Sequence, residues 1–245
     1  VKDGANLIVV DPRKIELVQE GDADLHLQQN SGTDVAWLMG MINVIIEEGL
    51  VDEEFVRDRT ENFEAMKEAA AEFPPEKVEE ITGIAEEELR EAALMYGEAD
   101  KGTILFAMGI TQHSHGTDNV LSVANLAMVT GNVGRESTGV NPLRGQNNVQ
   151  GACDLGALPN VYPGYQNVDE PENQEKFEEA WGTELSPEPG LTVVEMMNAA
   201  GEGDVKGMYI MGENPMVSDP DIGHVEESLE NLDFLAVQDI FLTET

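Results

Sequence analysis

The chain has 245 residues, 41% of them hydrophobic, enough to bury a substantial core in one large or two modest domains. No apolar run is long enough to span a bilayer, and the opening VKDGANLIVVDPRK is not a signal peptide. Its 49 acidic side chains against 13 Lys and Arg give a formal charge of −36, which repels phosphate backbones and disfavours a nucleic-acid binder. The acids run along the whole sequence, which disfavours a nucleic-acid mimic as well. A single cysteine, Cys153, excludes a disulfide framework and any Cys-rich metal or iron–sulfur centre within these residues.

Taken in chain order, residues 5–10 (ANLIVV) read as a buried strand ending at Asp11-Pro12-Arg13, and DLHL (24–27) as a second. Thr33 and Asp34 are placed to cap a helix whose Trp37, Leu38, Met41, Ile42, Ile45 and Ile46 recur at helical spacing, with Gly49 ending it. Acidic helices cover 53–59, 61–72, 75–82 and 86–98. Runs such as EEELREA and GLVDEEF thereby become solvated helix faces. TILFAMG (103–109) reads as a core strand, and 117–130 as a helix with Val120, Leu121, Ala124, Ala127 and Met128 on one side. Met39, Met41, Met95 and Met128 are ordinary helix packing.

Further on, helices around 171–181 and 192–200 lead to GMYIMGENP (207–215), a strand and turn. A helix over 219–231 and the strand FLAVQD (234–239) follow. No internal repeat is present. Strands alternating with helices predict an α/β fold: Rossmann-like layered domains with mostly parallel sheets. A long irregular segment suggests a boundary near 146, dividing the chain into α/β domains over 1–146 and 147–245. The sequence starts on Val1 without an initiator Met, which points to a portion of something longer.

The charge predicts salt dependence. Self-repulsion acts over about 30 Å at 0.01 M salt and about 3 Å at 1 M, so a salt-rich cytoplasm is its simplest explanation. The expected location is therefore cytoplasmic.

Four strands end in small polar turns: VVDPR (9–13), MGITQH (108–113), MGENP (211–215) and VQD (237–239). In open α/β sheets, ligands sit beyond the carboxyl ends of strands, and an acid there, such as Asp11 or Asp239, can accept from ribose hydroxyls or guanine N–H groups. Each turn also has an ordinary turn-forming explanation, but four together point to a nucleotide-bearing ligand. None is a GxGxxG with a properly spaced acid, so simple NAD binding has little support.

One stretch is electrostatically quiet. From Ser137 to Val168 the only formally charged side chains are Arg144 and Asp154, where a window of this length would carry about eight at the chain-wide 25%. Asn141, Gly145, Gln146, Asn147, Asn148, Gln150 and Gly151 supply neutral donors and acceptors suited to a large polar ligand. Arg144 there is shaped to hold a carboxylate or phosphate bidentately. Equally, the segment can be a loop tucked between domains, with Arg144 paired to a structural acid such as Asp154. His113 and His115 lack a third metal ligand nearby, and a hydrogen-bonding role beside the ligand suits His113 better. Cys153 reads as a small buried residue.

GVNPLRGQNNVQGACDLGALPNVYPGYQ resembles the catalytic (alpha) subunit of molybdenum formate dehydrogenases, in the molybdopterin-guanine-dinucleotide oxidoreductase superfamily. VVDPRK, SGTD, MGITQH, LAMVTGNVGRESTGVNP, YIMGENP and VQDIFLTET resemble family segments in the same order, so the likeness covers essentially the whole chain. It implies that Arg144 is the active-site arginine orienting formate, and that Gln146 lies near the pterin. It implies that Asp11, Arg13, Gly32 and Asp34 line one guanine dinucleotide. Met108, Gly109, Gln112, Gly212, Glu213, Asn214, Ser218, Gln238 and Asp239 would also serve the cofactor, mostly its second dinucleotide. None of these residues would be a metal ligand.

The cofactor so implied is a bis-molybdopterin guanine dinucleotide with molybdenum or tungsten. The partners implied are formate, electron-transfer subunits or a carrier, and further domains of the same polypeptide. The family's amino-terminal Cys cluster for a [4Fe–4S] centre, its Cys or selenocysteine followed by His, and its carboxy-terminal domain have no counterpart in these residues; Cys153 is followed by Asp154. A central portion, inert alone, is the expectation. The alternatives are another molybdopterin oxidoreductase acting on an oxyanion such as nitrate, or a cofactor-free homologue with a structural role.

Overall fold

The two earliest apolar runs form β1 (Ile8–Val10) and β2 (Leu25–Leu27) in a computed structural model that describes residues 4–245. They flank the short α1 (Glu16–Gln19) and pair in parallel, Ile8 opposite Leu25 and Val10 opposite Leu27. The chain divides into two compact units, Val1–Gly145 and Gln146–Thr245.

The first unit is built around α2 (Asp34–Glu47), which Gly49 leaves with φ of +71°. The expected stripe is only part of its apolar surface. Every residue from Ala36 to Ile45 is buried, because other helices wrap it on several sides. These are α4 (Phe63–Ala71), α5 (Pro75–Thr82), α6 (Glu86–Gly97) and α8 (Gly116–Val129), with α3 (Glu53–Arg59) set against α8. Leu38, Ile42, Ile45, Val78 and Leu89 are fully buried, each stabilising the unit by about 1.5–3 kcal/mol relative to exposure. The glutamates of α3 to α6 stay at the surface, with Glu86 alone partly covered.

β3 (Thr103–Phe106) is shorter than its sequence suggests. The chain leaves extended geometry at Ala107, and Met108–Thr111 turns as the short helix α7. The inward face of α8 also differs from the expected one. Leu121 is 56% exposed, whereas Asn119, Ser122, Val123 and Leu126 are buried. Both polar residues donate inward, Asn119 Nδ2 to the Ile110 carbonyl and Ser122 Oγ to that of Asp118, while Asn119 Oδ1 is buried without a hydrogen-bond partner. A count of apolar side chains could not anticipate that.

The quiet segment contains structure that its composition hides. β4 (Gly139–Pro142) pairs in parallel with β3, although Gly, Asn and Pro are poor strand formers.

In the second unit, α9 (Val149–Asp154) is followed by the antiparallel pair β5 (Val161–Tyr162) and β6 (Gln166–Asn167). α10 (Pro171–Trp181) packs there, stacking Phe177 on Tyr162 at 4.6 Å. α11 (Val193–Glu202), β7 (Gly207–Met211), α12 (Pro215–Ser218), α13 (Ile222–Glu230) and β8 (Phe234–Gln238) complete it. β7 and β8 are parallel; Met197 of α11 and Val225 and Leu229 of α13 cluster with Ile210 of β7. Three of the four strand pairs among the described residues are parallel, so the fold is α/β with small parallel sheets. Among the described residues no helix is long and apolar enough to cross a membrane. Cys153 is half-buried rather than buried.

Candidate functional site

Parallel pairing places two strand ends side by side, and in the first unit this brings the quiet loop to the MGITQH turn. Beyond the last β3–β4 partners, Phe106 and Pro142, the Leu143 N–H donates to the Phe106 carbonyl at 2.7 Å. Arg144 therefore leaves β4 beside the carboxyl end of β3, where Met108, Gly109 and Gln112 turn back. Leu105, Met108 and Leu143 are all more than half exposed there, and Gln112 Nε2 lies 3.5 Å from Met108 Sδ.

Arg144 itself is exposed and has no ion pair among the described residues. Arg13, Arg57, Arg90 and Arg135 each approach a carboxylate, and Arg59 lies over the Phe55 ring. In a chain of charge −36, Arg144 is thus left without an ion pair or an aromatic ring as partner among the described residues.

At the end of β1, Asp11 Oδ1 accepts the Arg13 N–H at 2.7 Å, and Arg13 Nε stands 3.7 Å away with its side chain extended into solvent. The His26 ring nitrogen lies 2.9 Å from the Asp11 carbonyl, tying the turn to β2. Gly32, at φ +82°, precedes the start of α2. Asp34 is buried at 3% exposure, with Trp37 Nε1 donating to Oδ1 at 3.4 Å and His113 Nε2 lying 3.6 Å from Oδ2. The SGTD and MGITQH turns are therefore in contact, a relationship that no local sequence signal announces.

The second unit gathers its own group. The Gly212 N–H donates to the Gln238 carbonyl at 2.9 Å, joining the ends of β7 and β8. Gly212 has φ of +66°, the conformation that favours glycine over other residues, and Glu213 is exposed next to it. Tyr209 Oη contacts Gln238 Oε1. Asn214 donates to Glu244 and accepts from Thr245 N–H and Oγ1, and its bond to Glu244 holds that carboxyl below the usual glutamate range. Ser218 donates to Asp219 at 3.1 Å, and Asp239 accepts the Phe241 N–H at 3.1 Å. Gln146 is exposed at the start of this unit.

A Cβ added at Gly32, Gly109 or Gly212 would meet no heavy atom within 4 Å, so a ligand can approach the backbone closely at all three turns. No cluster of three or more His, Cys, Asp or Glu suited to a metal ion occurs among the described residues.

In both units parallel strands lead into turns that carry open glycines, an α/β arrangement. The chain belongs to the molybdopterin oxidoreductase family, whose sequence model matches residues 1–245. It is 54% identical over 242 residues to the F420-dependent formate dehydrogenase subunit alpha of Methanocaldococcus jannaschii, covering 99% of this chain and 35% of that one. It is 48% identical over 245 residues to formate dehydrogenase H of Escherichia coli, covering 100% and 34%. Acetylene hydratase from Pelobacter acetylenicus shares the fold with a TM-score of 0.68 at 25% identity, over 97% of this chain and 35% of the hydratase. The chain spans about a third of the length of these two formate dehydrogenase relatives.

Proposed function

We propose that the chain is the central portion of a formate dehydrogenase catalytic subunit. In this reading it holds a bis-molybdopterin guanine dinucleotide with molybdenum or tungsten and orients formate for two-electron oxidation to carbon dioxide. The observation that carries it is Arg144, unpaired at the carboxyl end of the β3–β4 pair. The likeness to formate dehydrogenase subunits at 48–54% identity supports the choice of substrate.

The bound cofactor supplies the redox chemistry. The chain's residues supply position and charge. A guanidinium offers two parallel N–H donors to a carboxylate and fixes its plane, so formate presents its C–H in one direction. The scarcity of charge around Arg144 keeps competing carboxylates away, and a low-dielectric surround strengthens its grip once the site is closed. Asp11, Arg13, Gly32 and Asp34 serve one dinucleotide. Met108, Gly109, Gln112, Gly212, Glu213, Asn214, Ser218, Gln238 and Asp239 serve the cofactor too, mostly the second dinucleotide, with Gln146 near the pterin.

The [4Fe–4S] centre, the protein ligand to the metal and the electron-transfer partners belong to other parts of the assembly. A salt-rich cytoplasm is the setting that the charge favours. Purified as the intact protein, it is expected to contain one molybdenum or tungsten per chain and to reduce a viologen dye with formate but not catalyse nitrate reduction. Metal content with nitrate turnover and no formate turnover would replace this reading with an oxyanion reductase; a metal-free protein would leave the structural homologue.

A further inference from the structure

Asp34 begins α2 in a place where a carboxylate is both welcome and costly. The helix N-terminus attracts negative charge, yet at 3% exposure the group needs partners to offset its lost water. Oδ1 has the Trp37 indole N–H. Oδ2 faces one side chain from outside the helix, the His113 imidazole at 3.6 Å. That distance is longer than a hydrogen bond and makes the contact electrostatic.

The same ring nitrogen, Nε2, lies 2.9 Å from the Gly109 carbonyl. Facing two acceptors, Nε2 is the ring nitrogen that carries a hydrogen. His115 stacks on the ring at 5.6 Å, and Asp118 stands in the first turn of α8, the helix that packs on α7; α7 itself carries no charge. Met108, Gly109 and Gln112 belong to a four-residue helix and its cap, too short to persist by its own hydrogen bonds. Asn119 holds Ile110 from one side, and His113 holds Gly109 from the other.

We infer that His113 is a positioning residue that pins the Met108–Gln112 turn to the amino-terminal end of α2, with Asp34 as its anchor. The inference rests on the cofactor reading above for its functional meaning: two turns assigned to the cofactor are locked together, and Asp34 spends its carboxylate on that lock. Asp34 then acts on the ligand through its backbone and through His113.

Amide hydrogen exchange on the chain tests the lock without any cofactor. His113→Phe is expected to speed exchange at residues 108–112 about tenfold, the effect of losing one hydrogen bond from a local opening equilibrium, while residues 38–45 inside α2 keep their protection. His113→Gln, which can still donate to the Gly109 carbonyl, is expected to return exchange to within about twofold of wild type. Asp34→Asn, keeping the shape but not the charge, should fall between. In the intact protein, the fraction of chains retaining molybdenum after gel filtration should fall several-fold in His113→Phe and recover in His113→Gln.

Unchanged exchange at 108–112 in His113→Phe overturns the proposal. So does an equal rise across 38–45, which marks general packing, or failure of the Gln variant to rescue. Wild-type protein without metal would sink the cofactor reading alone, and the exchange results would still decide the lock.

Discussion

The Leu143 N–H donates to the Phe106 carbonyl at 2.7 Å, one residue beyond the last partners of a short parallel pair. That bond carries the chain past the strand end and delivers Arg144 next to the Met108 turn. Four arginines of this acidic protein approach carboxylates; Arg144 does not. Among the described residues Arg144 makes no ion pair, although the chain carries 49 acidic side chains.

An exposed arginine without a protein partner contributes little to stability. Arg144→Ala is expected to change unfolding free energy by no more than about 0.5 kcal/mol, the usual range for surface substitutions. Thermal or urea unfolding checks this, and a large loss would mean that the guanidinium is structural.

Gly131 sits at φ +64°, and a Cβ there would collide with the Asp52 carboxylate. Asp52 accepts the Phe55 N–H at 2.9 Å as the cap of α3, and its own N–H bonds the Val129 carbonyl. Gly131→Ala therefore combines left-handed strain with damage to a cap, a loss of about 2 kcal/mol. Urea denaturation should show a lower midpoint at unchanged slope.

Salt should stabilise the fold. Raising KCl from 0.1 M to 2 M is expected to raise the melting temperature, with most of the gain below 1 M as the screening length shrinks from about 10 Å to about 3 Å. Replacing the exposed Glu76, Glu80, Glu87 and Glu91 with Gln should flatten the salt dependence. A melting temperature that falls with KCl in this range contradicts the reading of the acids as mutually repelling.

Glu195 is held below the usual glutamate range by hydrogen bonds from the Thr192 N–H and then Thr192 Oγ1, both 2.7 Å, in the capping box of α11. Because the folded form binds its proton less readily than the unfolded chain, this support is complete above the unfolded value and is lost as pH falls through the folded one. The first turn of α11 should loosen in acid, as pH falls below the ordinary glutamate range. Carboxyl chemical shifts against pH measure it, and Thr192→Ala should move the titration back toward the ordinary value.

What the sequence made legible was local. The bounds of α2, the four acidic helices and the β7–β8 strands follow from 3.6-residue periodicity, capping residues and short apolar runs flanked by turns. β4 was hidden because Gly139, Asn141 and Pro142 argue against a strand, and only the neighbouring β3 makes one there. The α8 face was misread because Asn119 and Ser122 are buried by virtue of bonds to distant or preceding carbonyls. The strand-end turns were visible one by one. Contact between Asp34 and His113, 79 positions apart in sequence, was not, since only the packing of α2 on α8 and α7 on α8 brings them together.

Formate kinetics in the intact protein test the central claim most directly. With Arg144→Ala, kcat/KM for formate is expected to fall by about 10²–10³-fold while metal content stays at the wild-type level; Arg144→Lys, keeping charge but losing the two-pronged geometry, should recover only part. Wild-type kinetics in Arg144→Ala at full metal occupancy would contradict the account.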